Sequence, residues 1–367
     1  MRLPLPEPIR DPAVFQPMFE KGMRDYPERK ANHALAATTA RGETAAAMPT
    51  MMDIEPASRC NYACGMCILH TWKNRKRADD MTFEMFRRLL DQQPGLWEVK
   101  LQGLGEPLLN RDLADMVALC SERSIWTRTT INGSLLHMHD NARRLLEAGI
   151  GEVQVSLDGA DKETYEAIRR GGDFDRFAEN CRLFNRLAAS YRSTSATRAF
   201  VLVQRANFHQ LDEILSFCAG VGFQRVIFSM QLGWFGVEEL REPNLGRDVS
   251  SEVSYNRCLE LVEAGKTRGL DVTFWQGGNK YRVGDPSLLC AWLWERAFIG
   301  SDGRIVPCCA ICDPRVMDMG DAERFAETWN GDRYRALRKA HLAGAIPTVC
   351  RGCYEGMRDT VGATGDV

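Results

Sequence analysis

Residues 51–67, MMDIEPASRCNYACGMC, join a short apolar run to three closely spaced cysteines. The apolar run predicts a buried strand, which places Cys60, Cys64 and Cys67 on the loop that follows it. Thirteen cysteines in 367 residues is a high and odd count for a reducing compartment, where clustered thiols bind metal more often than they form disulfides. The spacing therefore predicts an iron–sulfur or a zinc site, and His70 is the nearest fourth ligand for zinc.

Short apolar runs alternate with amphipathic stretches between residues 51 and 230. This alternation predicts repeated β-α units, and six such units build a partial or closed barrel. The predicted strands are MMDIE (51–55), EVKLQG (98–103), TRTTING (127–133), EVQVSLDG (152–159), AFVLVQ (199–204) and RVIFSM (225–230). The predicted helices between them cover residues 83–92, 113–123, 141–148, 175–189 and 211–221.

Distinctive residues follow the ends of the first four predicted strands. They are the cysteine loop, residues 103–107 (GLGEP), residues 132–133 (NG) and residues 156–159 (SLDG). The carboxyl ends of parallel strands meet at one end of a β/α fold, where the working groups collect. We therefore expect these four segments to share one mouth.

Three thiolates on a four-iron cluster leave one iron without a protein ligand, and that iron can take a small molecule. The C-x3-C-x2-C spacing after the first strand resembles the signature of the radical S-adenosylmethionine (SAM) superfamily, over residues 50–235. The resemblance implies an α/β fold with a partial (β/α)6 barrel, a SAM-binding [4Fe–4S] cluster and SAM itself. It also implies a 5′-deoxyadenosyl radical that abstracts substrate hydrogen, and an electron donor of the flavodoxin or ferredoxin type.

Further positions match the SAM contacts of that superfamily. Residues 103–107 match its GGEP element, in which a carboxylate receives the methionine ammonium, although Leu104 departs from the pattern. Asn132 also suits an ordinary Asn-Gly turn, and Arg170 is an alternative to Arg169 as the partner of the SAM carboxylate. The SAM-binding residues that the resemblance implies are Met66, Gly103, Gly105, Glu106, Asn132, Ser156, Asp158 and Arg169.

Four cysteines near the carboxyl end form the pattern C-x17-C-x41-C-x2-C, with a predicted hairpin turn at residues 302–303. The pattern resembles the twitch form of the SPASM domain, which implies one auxiliary [4Fe–4S] cluster on Cys290, Cys308, Cys350 and Cys353. A structural zinc ion is the alternative occupant. Cys309 or Cys312 could replace Cys308 as a ligand.

The chain is expected to contain four segments. They are an N-terminal arm (1–50), the barrel core (51–235), a connecting segment that completes the barrel (236–285) and a small α+β auxiliary-cluster domain of the twitch type (286–367). The formal net charge of −2 gives no indication of nucleic acid or an anionic membrane as a partner. The N-terminal residues lack an apolar segment, so we expect a cytoplasmic protein.

Two classes of reaction fit these features. A fully ligated auxiliary cluster can accept an electron, so the first hypothesis is oxidation or epimerisation of a carbinol in a small polyol, as in aminocyclitol dehydrogenase and epimerase members of the superfamily. An epimerase needs a hydrogen donor, for which Cys258 and Cys312 are the candidates. The second hypothesis is a peptide maturase, ranked lower because residues 1–50 are too short for the winged-helix peptide-recognition domain that many maturases carry.

Substrate contacts are predicted from polar and aromatic residues near the later strand ends, with ordinary surface or core positions as the alternative. These residues are Gln204, Arg205, Asn207, Trp234, Trp275, Gln276 and Lys280.

Overall fold

The computed structural model describes residues 4–191, 197–275, 278 and 280–357. Within these ranges, ten strands form one sheet in the order β10-β9-β8-β1-β2-β3-β4-β5-β6-β7. The strands are β1 (Met51–Ile54), β2 (Glu98–Leu101), β3 (Trp126–Ile131), β4 (Glu152–Ser156), β5 (Arg198–Leu202), β6 (Arg225–Ser229), β7 (Asp271–Trp275), β8 (Arg296–Ile299), β9 (Arg304–Val306) and β10 (Gly320–Asp321).

Strands β1 to β7 are parallel, and β8 pairs in parallel with the free side of β1. The helices of the described ranges are α1 (Pro12–Asp25), α2 (Pro27–Thr38), α3 (Phe83–Asp91), α4 (Leu113–Glu122), α5 (Asn141–Glu147), α6 (Lys162–Ile168), α7 (Phe174–Ala188), α8 (Leu211–Gly220), α9 (Glu238–Arg247), α10 (Tyr255–Lys266), α11 (Trp292–Glu295), α12 (Phe325–Trp329), α13 (Asp332–Leu342) and α14 (Thr348–Arg351). None of them has both the length and the apolar character needed to cross a membrane.

The predicted α/β fold is confirmed, with all six predicted strands in place. Alternate strand residues face the helices and join the main apolar core, as Ile54, Val99 and Val153 do with no exposed surface. The intervening residues face the inside of the barrel, called here the lumen. The sequence patterns missed α6, and they missed β8, because its pairing with β1 joins residues far apart in the chain.

The N-terminal residues close the floor of the barrel, at the amino ends of the strands. Arg10 pairs with Glu98 at 2.5 Å, and Asp11 pairs with Arg225 at 2.9 Å. Phe15 on α1 packs edge-on against Trp126. The segment expected to be a preceding arm therefore packs against the barrel as part of its core structure.

The carboxyl-terminal region continues the barrel sheet. β9 pairs antiparallel with β8 through the hairpin at Gly303, whose φ of 77° favours glycine. Because β8 also pairs with β1, the auxiliary region is joined to the barrel by backbone hydrogen bonds. The β8–β9 hairpin thereby lies at the same end of the barrel as the cysteine loop after β1, and the chain after β9 runs back towards the amino end of β1.

Glu55 connects the cysteine loop, the GLGEP loop and the β8–β9 hairpin. Its side chain is completely buried. One carboxylate oxygen accepts from the backbone NH of Leu104 at 2.8 Å, and the other accepts from Arg77 at 2.8 Å and from the NH of Ser301 at 3.2 Å. Arg77 also pairs with Asp302 on the hairpin. One carboxylate thus fixes three segments that meet at the mouth.

Replacing Glu55 by glutamine should destabilise the protein. The substitution leaves the buried Arg77 with one fewer anionic partner, and we expect the free energy of unfolding to fall by about 3 kcal/mol. Urea denaturation of reconstituted protein, followed by tryptophan fluorescence, measures the change. Glu84→Gln is the matched control, because Glu84 lies in an exposed pair with Arg87 and should alter the midpoint little. Equal midpoints for the two variants would contradict the role given to Glu55.

Candidate functional site

The three cysteines of the first loop lie together at the mouth. The backbone NH of Cys67 donates to the carbonyl of Cys64 at 3.0 Å, which turns the loop back on itself. Burial is the main cause that raises the pKa of Cys60 to about 12 and that of Cys67 to about 11, and the nearby Cys64 contributes to both shifts in the same direction. Three thiols close enough to influence one another form a set that can hold a cluster.

Close backbone approach explains both glycines of the GLGEP loop. A side chain at Gly105 would meet the carbonyl oxygen of Ala57 at 2.1 Å, and one at Gly103 would meet Glu55 at 2.2 Å. Only glycine lets this loop lie against the segment that leads to the cysteines. The two glycines therefore shape the mouth, whether or not their backbone also contacts a cofactor.

Glu106 and Asn132 join the GLGEP loop to the cysteine loop. Glu106 accepts from the backbone NH of Asn132 at 2.7 Å and from that of Leu108 at 3.2 Å. Burial raises the pKa of Glu106 to about 7, against the opposing effect of these hydrogen bonds. The Asn132 amide donates to Asn61 at 2.9 Å and lies 4.0 Å from the Cys60 sulfur. Asn132 therefore connects the GLGEP loop to the cysteine loop, a role beyond the ordinary turn that its sequence context also suits.

Asp158 and Arg169 form a buried ion pair at 2.6 Å beside the cysteine loop. Asp158 also accepts from the NH of Leu202 at 2.8 Å, and burial raises its pKa. Arg169 lies 4.0 Å from the Cys64 sulfur, and its pKa is raised by Asp158 and Cys64 although burial opposes the change. Arg170 has an exposed side chain, although it too lies near the loop at Gly65.

A segment that the sequence patterns left unassigned covers the other side of the cysteine loop. Asn244 on α9 is buried and donates to the carbonyl of Met66 at 3.2 Å. Met66 packs in a small apolar cluster with Tyr62, Ile168 and Leu232. The sequence feature that could have indicated this contact is a polar asparagine in the middle of a helical segment. Ser156 lies at the end of β4, also buried.

The four predicted auxiliary ligands are also brought together. Burial raises the pKa of Cys308 well above its ordinary value, and Cys290, Cys350 and Cys353 raise it further. The phenol of Tyr354 accepts from the backbone NH of Cys290 at 3.0 Å and bonds to His341 at 2.7 Å. These contacts hold the segments on which the four thiols lie.

Cys309 and Cys312 lie with Cys308 in the segment after β9, and Cys309 acts on the Cys308 thiol in the same direction as the other auxiliary cysteines do. Burial raises the pKa of Cys309 to about 11, with Asp53 acting in the same direction and Lys100 in the opposite one. Cys312 is buried beside Phe298 and Val306, and its pKa is raised by burial and by Glu55. Cys67 also acts on the Cys312 thiol, so Cys312 lies near the first set of cysteines.

The structure does not bring every candidate to the mouth. Cys258 lies in α10, buried in the core between helices and sheet, so its prediction as a hydrogen donor is corrected. Asn207 is fully buried and bonds to the backbone of Asp158 and Leu202, while Arg205 pairs with Glu252 on the surface. These two side chains are structural.

The remaining substrate candidates differ in position. Gln204 is buried, with no hydrogen-bond partner for its side-chain nitrogen among the described residues. Trp234 contacts Arg241, and Lys280 lies 3.6 Å from the centre of the Trp275 ring. Gln276 lies outside the described residues.

Both cysteine sets suit a cluster better than a single ion. Among the residues that the structure describes, no three thiol, imidazole or carboxylate groups converge on one point. Zinc needs four ligands, with its thiolate sulfurs about 2.3 Å from the ion, whereas the thiolates of an iron–sulfur cluster bind different irons. Two sets of donors made of thiolates alone fit two iron–sulfur clusters.

Family models match both parts of the chain. The radical SAM superfamily model matches residues 54–218, and the SPASM iron–sulfur cluster-binding domain matches residues 290–354. The chain therefore contains a radical SAM domain followed by a SPASM domain. Its cofactors are SAM with a [4Fe–4S] cluster, and an auxiliary iron–sulfur cluster.

Particular relatives fall into two groups. A GTP 3′,8-cyclase from Rhizobium etli (strain CIAT 652) is 27% identical over 192 residues, which are 50% of this chain and 53% of the relative. The chain thus spans about half the length of the cyclases it matches. A PqqA peptide cyclase from Granulibacter bethesdensis is 24% identical over 306 residues, which are 82% of this chain and 78% of the relative.

Among solved structures, SuiB from Streptococcus suis superposes with a TM-score of 0.60 at 15% identity, over 85% of this chain and 78% of SuiB. A further structure shows SuiB bound to its precursor peptide SuiA.

Removing each cysteine set should remove one cluster. Wild-type protein reconstituted without oxygen should hold roughly eight irons, and the Cys60/Cys64/Cys67→Ala triple variant roughly four. The triple variant should also lose reductive SAM cleavage, whereas a Cys290/Cys353→Ala variant should retain it. Iron analysis and Mössbauer spectra measure the clusters, and liquid chromatography measures 5′-deoxyadenosine. SAM cleavage that persists in the triple variant would overturn the assignment.

The two neighbouring arginines can be separated by SAM affinity. Because only Arg169 is buried beside Asp158 and Cys64, Arg169→Met should weaken SAM binding at least about tenfold. Arg170→Met is the matched control and should change the Kd little. Equilibrium dialysis of reconstituted protein measures both, with circular dichroism as the check on folding. A larger loss in the Arg170 variant would assign the carboxylate contact to Arg170.

Proposed function

We propose that this chain is a peptide maturase that abstracts hydrogen from an unactivated C–H bond of a peptide residue. The observation that carries the proposal is the similarity to the PqqA peptide cyclase, which extends over 82% of this chain. That alignment must include both the barrel and part of the SPASM region, whereas the match to the GTP 3′,8-cyclases covers only half of the chain. The SPASM region, which the longer alignment includes, thus favours a peptide substrate.

The fold gives secondary support. SuiB has the same overall fold and has been solved with a precursor peptide bound. The first hypothesis, carbinol oxidation in a polyol, rested partly on the short N-terminal segment. That segment is used in closing the barrel floor, through Arg10, Asp11 and Phe15. Its length is therefore not an argument against peptide binding. The peptide maturase accordingly becomes the first hypothesis, and carbinol oxidation becomes the second.

The residues of the mouth have distinct tasks in this proposal. Cys60, Cys64 and Cys67 hold the cluster on which SAM is cleaved to the radical that abstracts hydrogen. Glu106 and Arg169 are placed to bind the charged groups at the methionine end of SAM. Both side chains are fixed by contacts within the protein. Glu106 accepts hydrogen bonds from two backbone NH groups, and Arg169 forms an ion pair with Asp158. Fixed partners keep these groups in place before the cofactor arrives.

The four SPASM thiols would hold the auxiliary cluster. A cluster with four protein ligands has no open iron, so its use is to move electrons. An oxidative cross-link releases a pair of electrons in total, one of which an auxiliary cluster can accept. Epimerisation needs no net acceptor but needs a hydrogen donor, for which Cys312 stays the candidate from this chain.

The proposal is tested with peptides encoded beside the gene. Each peptide is incubated without oxygen with reconstituted enzyme, SAM and either reduced flavodoxin or dithionite. We expect 5′-deoxyadenosine formation to rise with one peptide, and that peptide to lose a pair of hydrogen atoms or to gain a solvent deuteron. Mass spectrometry distinguishes these products.

GTP and an aminocyclitol are the comparison substrates, and the Cys60/Cys64/Cys67→Ala variant is the control for peptide modification. Stimulation of SAM cleavage by GTP or by the aminocyclitol, with unchanged peptides, would contradict the proposal.

A further inference from the structure

The lumen below the mouth is lined by charged side chains. On β1, Met52 and Ile54 pack in the core outside the sheet, so Asp53 faces the lumen. On β2, Val99 and Leu101 pack outside in the same way, and Lys100 faces inwards. Asp53 and Lys100 are direct neighbours in the strand register. They lie about 10 Å below the GLGEP loop along the strand.

The charges at the barrel floor are all used in ion pairs. Glu98 pairs with Arg10 and with Arg128 at 2.8 Å, and Glu152 pairs with Arg198 at 3.0 Å. These pairs join adjacent strands and the N-terminal segment. Buried charges in the floor are thus satisfied within the chain, as is usual for a structural network.

Three charged side chains in the lumen have no such partner. Among the described residues, Asp53, Lys100 and Arg296 form no ion pair and no side-chain hydrogen bond. Arg296 instead lies 5.6 Å from the centre of the Trp292 ring. Asp53 has only 7% of its surface exposed, so it is an unpartnered carboxylate inside the fold. Charged groups in this setting normally have a partner.

The three side chains face one space. Burial raises the pKa of Asp53, and the charges of Lys100 and Arg296 oppose that rise. On β8, Ala297 and Ile299 pack in the core outside the sheet, so Arg296 also faces the lumen, on the strand that pairs with the strand of Asp53.

The balance of charge indicates the ligand. Lys100 and Arg296 outnumber Asp53, so the space has an excess of positive charge. A carboxylate would give each cation a partner, and the arginine can bind it through two parallel hydrogen bonds. The three groups carry a net charge of +1, which a carboxylate neutralises and a doubly charged phosphate would exceed.

We propose that the lumen holds the side-chain carboxylate of an acidic substrate residue, with Lys100 and Arg296 as its cationic partners. This inference rests on the proposed peptide substrate and names the residue class that enters the barrel. The carboxylate bound below the mouth would fix how deeply the peptide enters, and therefore which neighbouring C–H bond faces the radical. Lys100 and Arg296 are in this sense specificity residues, away from the cysteines and the SAM-binding residues.

Binding of short peptides without turnover tests the inference. The probes are two blocked pentapeptides with glutamate or glutamine between pairs of glycines, together with free glutarate. Each is titrated into reconstituted holoenzyme with SAM but without reductant, and the Kd is measured by calorimetry. We expect the glutamate peptide to bind about tenfold more tightly than the glutamine peptide. That preference should be lost in Lys100→Met.

Lys266→Met is the matched control, because Lys266 lies on the surface in a pair with Glu263 and should leave the preference intact. Iron content and circular dichroism show whether each variant is folded, and Arg296→Gln provides a second test. Equal affinity of wild-type enzyme for both peptides, or a preference that survives in Lys100→Met, would overturn the inference. Lys100-dependent binding of glutarate without binding of either peptide would support the carboxylate site and contradict the peptide substrate, so the two failures are distinguishable.

Discussion

The buried carboxylate of Glu55 holds the mouth of the barrel together. It lies at the end of β1, directly before the cysteine loop, and bonds to Leu104, Arg77 and Ser301. Those partners belong to the GLGEP loop, the segment after the cysteines and the β8–β9 hairpin. Because each oxygen is used and no water reaches the group, small shifts in any of the three segments would leave a buried charge unpaired. The geometry of the site therefore depends on this contact.

The same arrangement explains why the SPASM region faces the lumen. β8 extends the barrel sheet beside β1, and its hairpin to β9 is anchored through Arg77 and Asp302. The segment after the hairpin then brings Cys308 to the other three auxiliary thiols, while Cys312 lies near Glu55 and Cys67. One strand pairing thus places the auxiliary thiols, two further thiols and the charged lumen around a common space.

The sequence patterns predicted much of the site and misplaced some of it. Residues that share a loop motif, such as Cys60, Cys64 and Cys67, have fixed spacing and could be recognised directly. The GLGEP loop and Asn132 followed from their positions at strand ends. Cys258 was misplaced because a helical cysteine carries no signal of which side of the helix layer it faces. Glu55, Asn244 and Lys100 were missed because their importance comes from partners distant in the chain.

By itself, the sequence determined the alternation of strands and helices and the first cysteine loop, since local periodicity and spacing fix these features. The set of four later cysteines was implied by the resemblance to the twitch form of the SPASM domain. Only the tertiary structure decided that β8 lies beside β1, that residues 4–11 close the floor and that Arg169 is the buried arginine. It also decided that Asp53, Lys100 and Arg296 lack partners inside the lumen. Pairing and desolvation depend on contacts between residues far apart in the chain, and no local pattern contains that information.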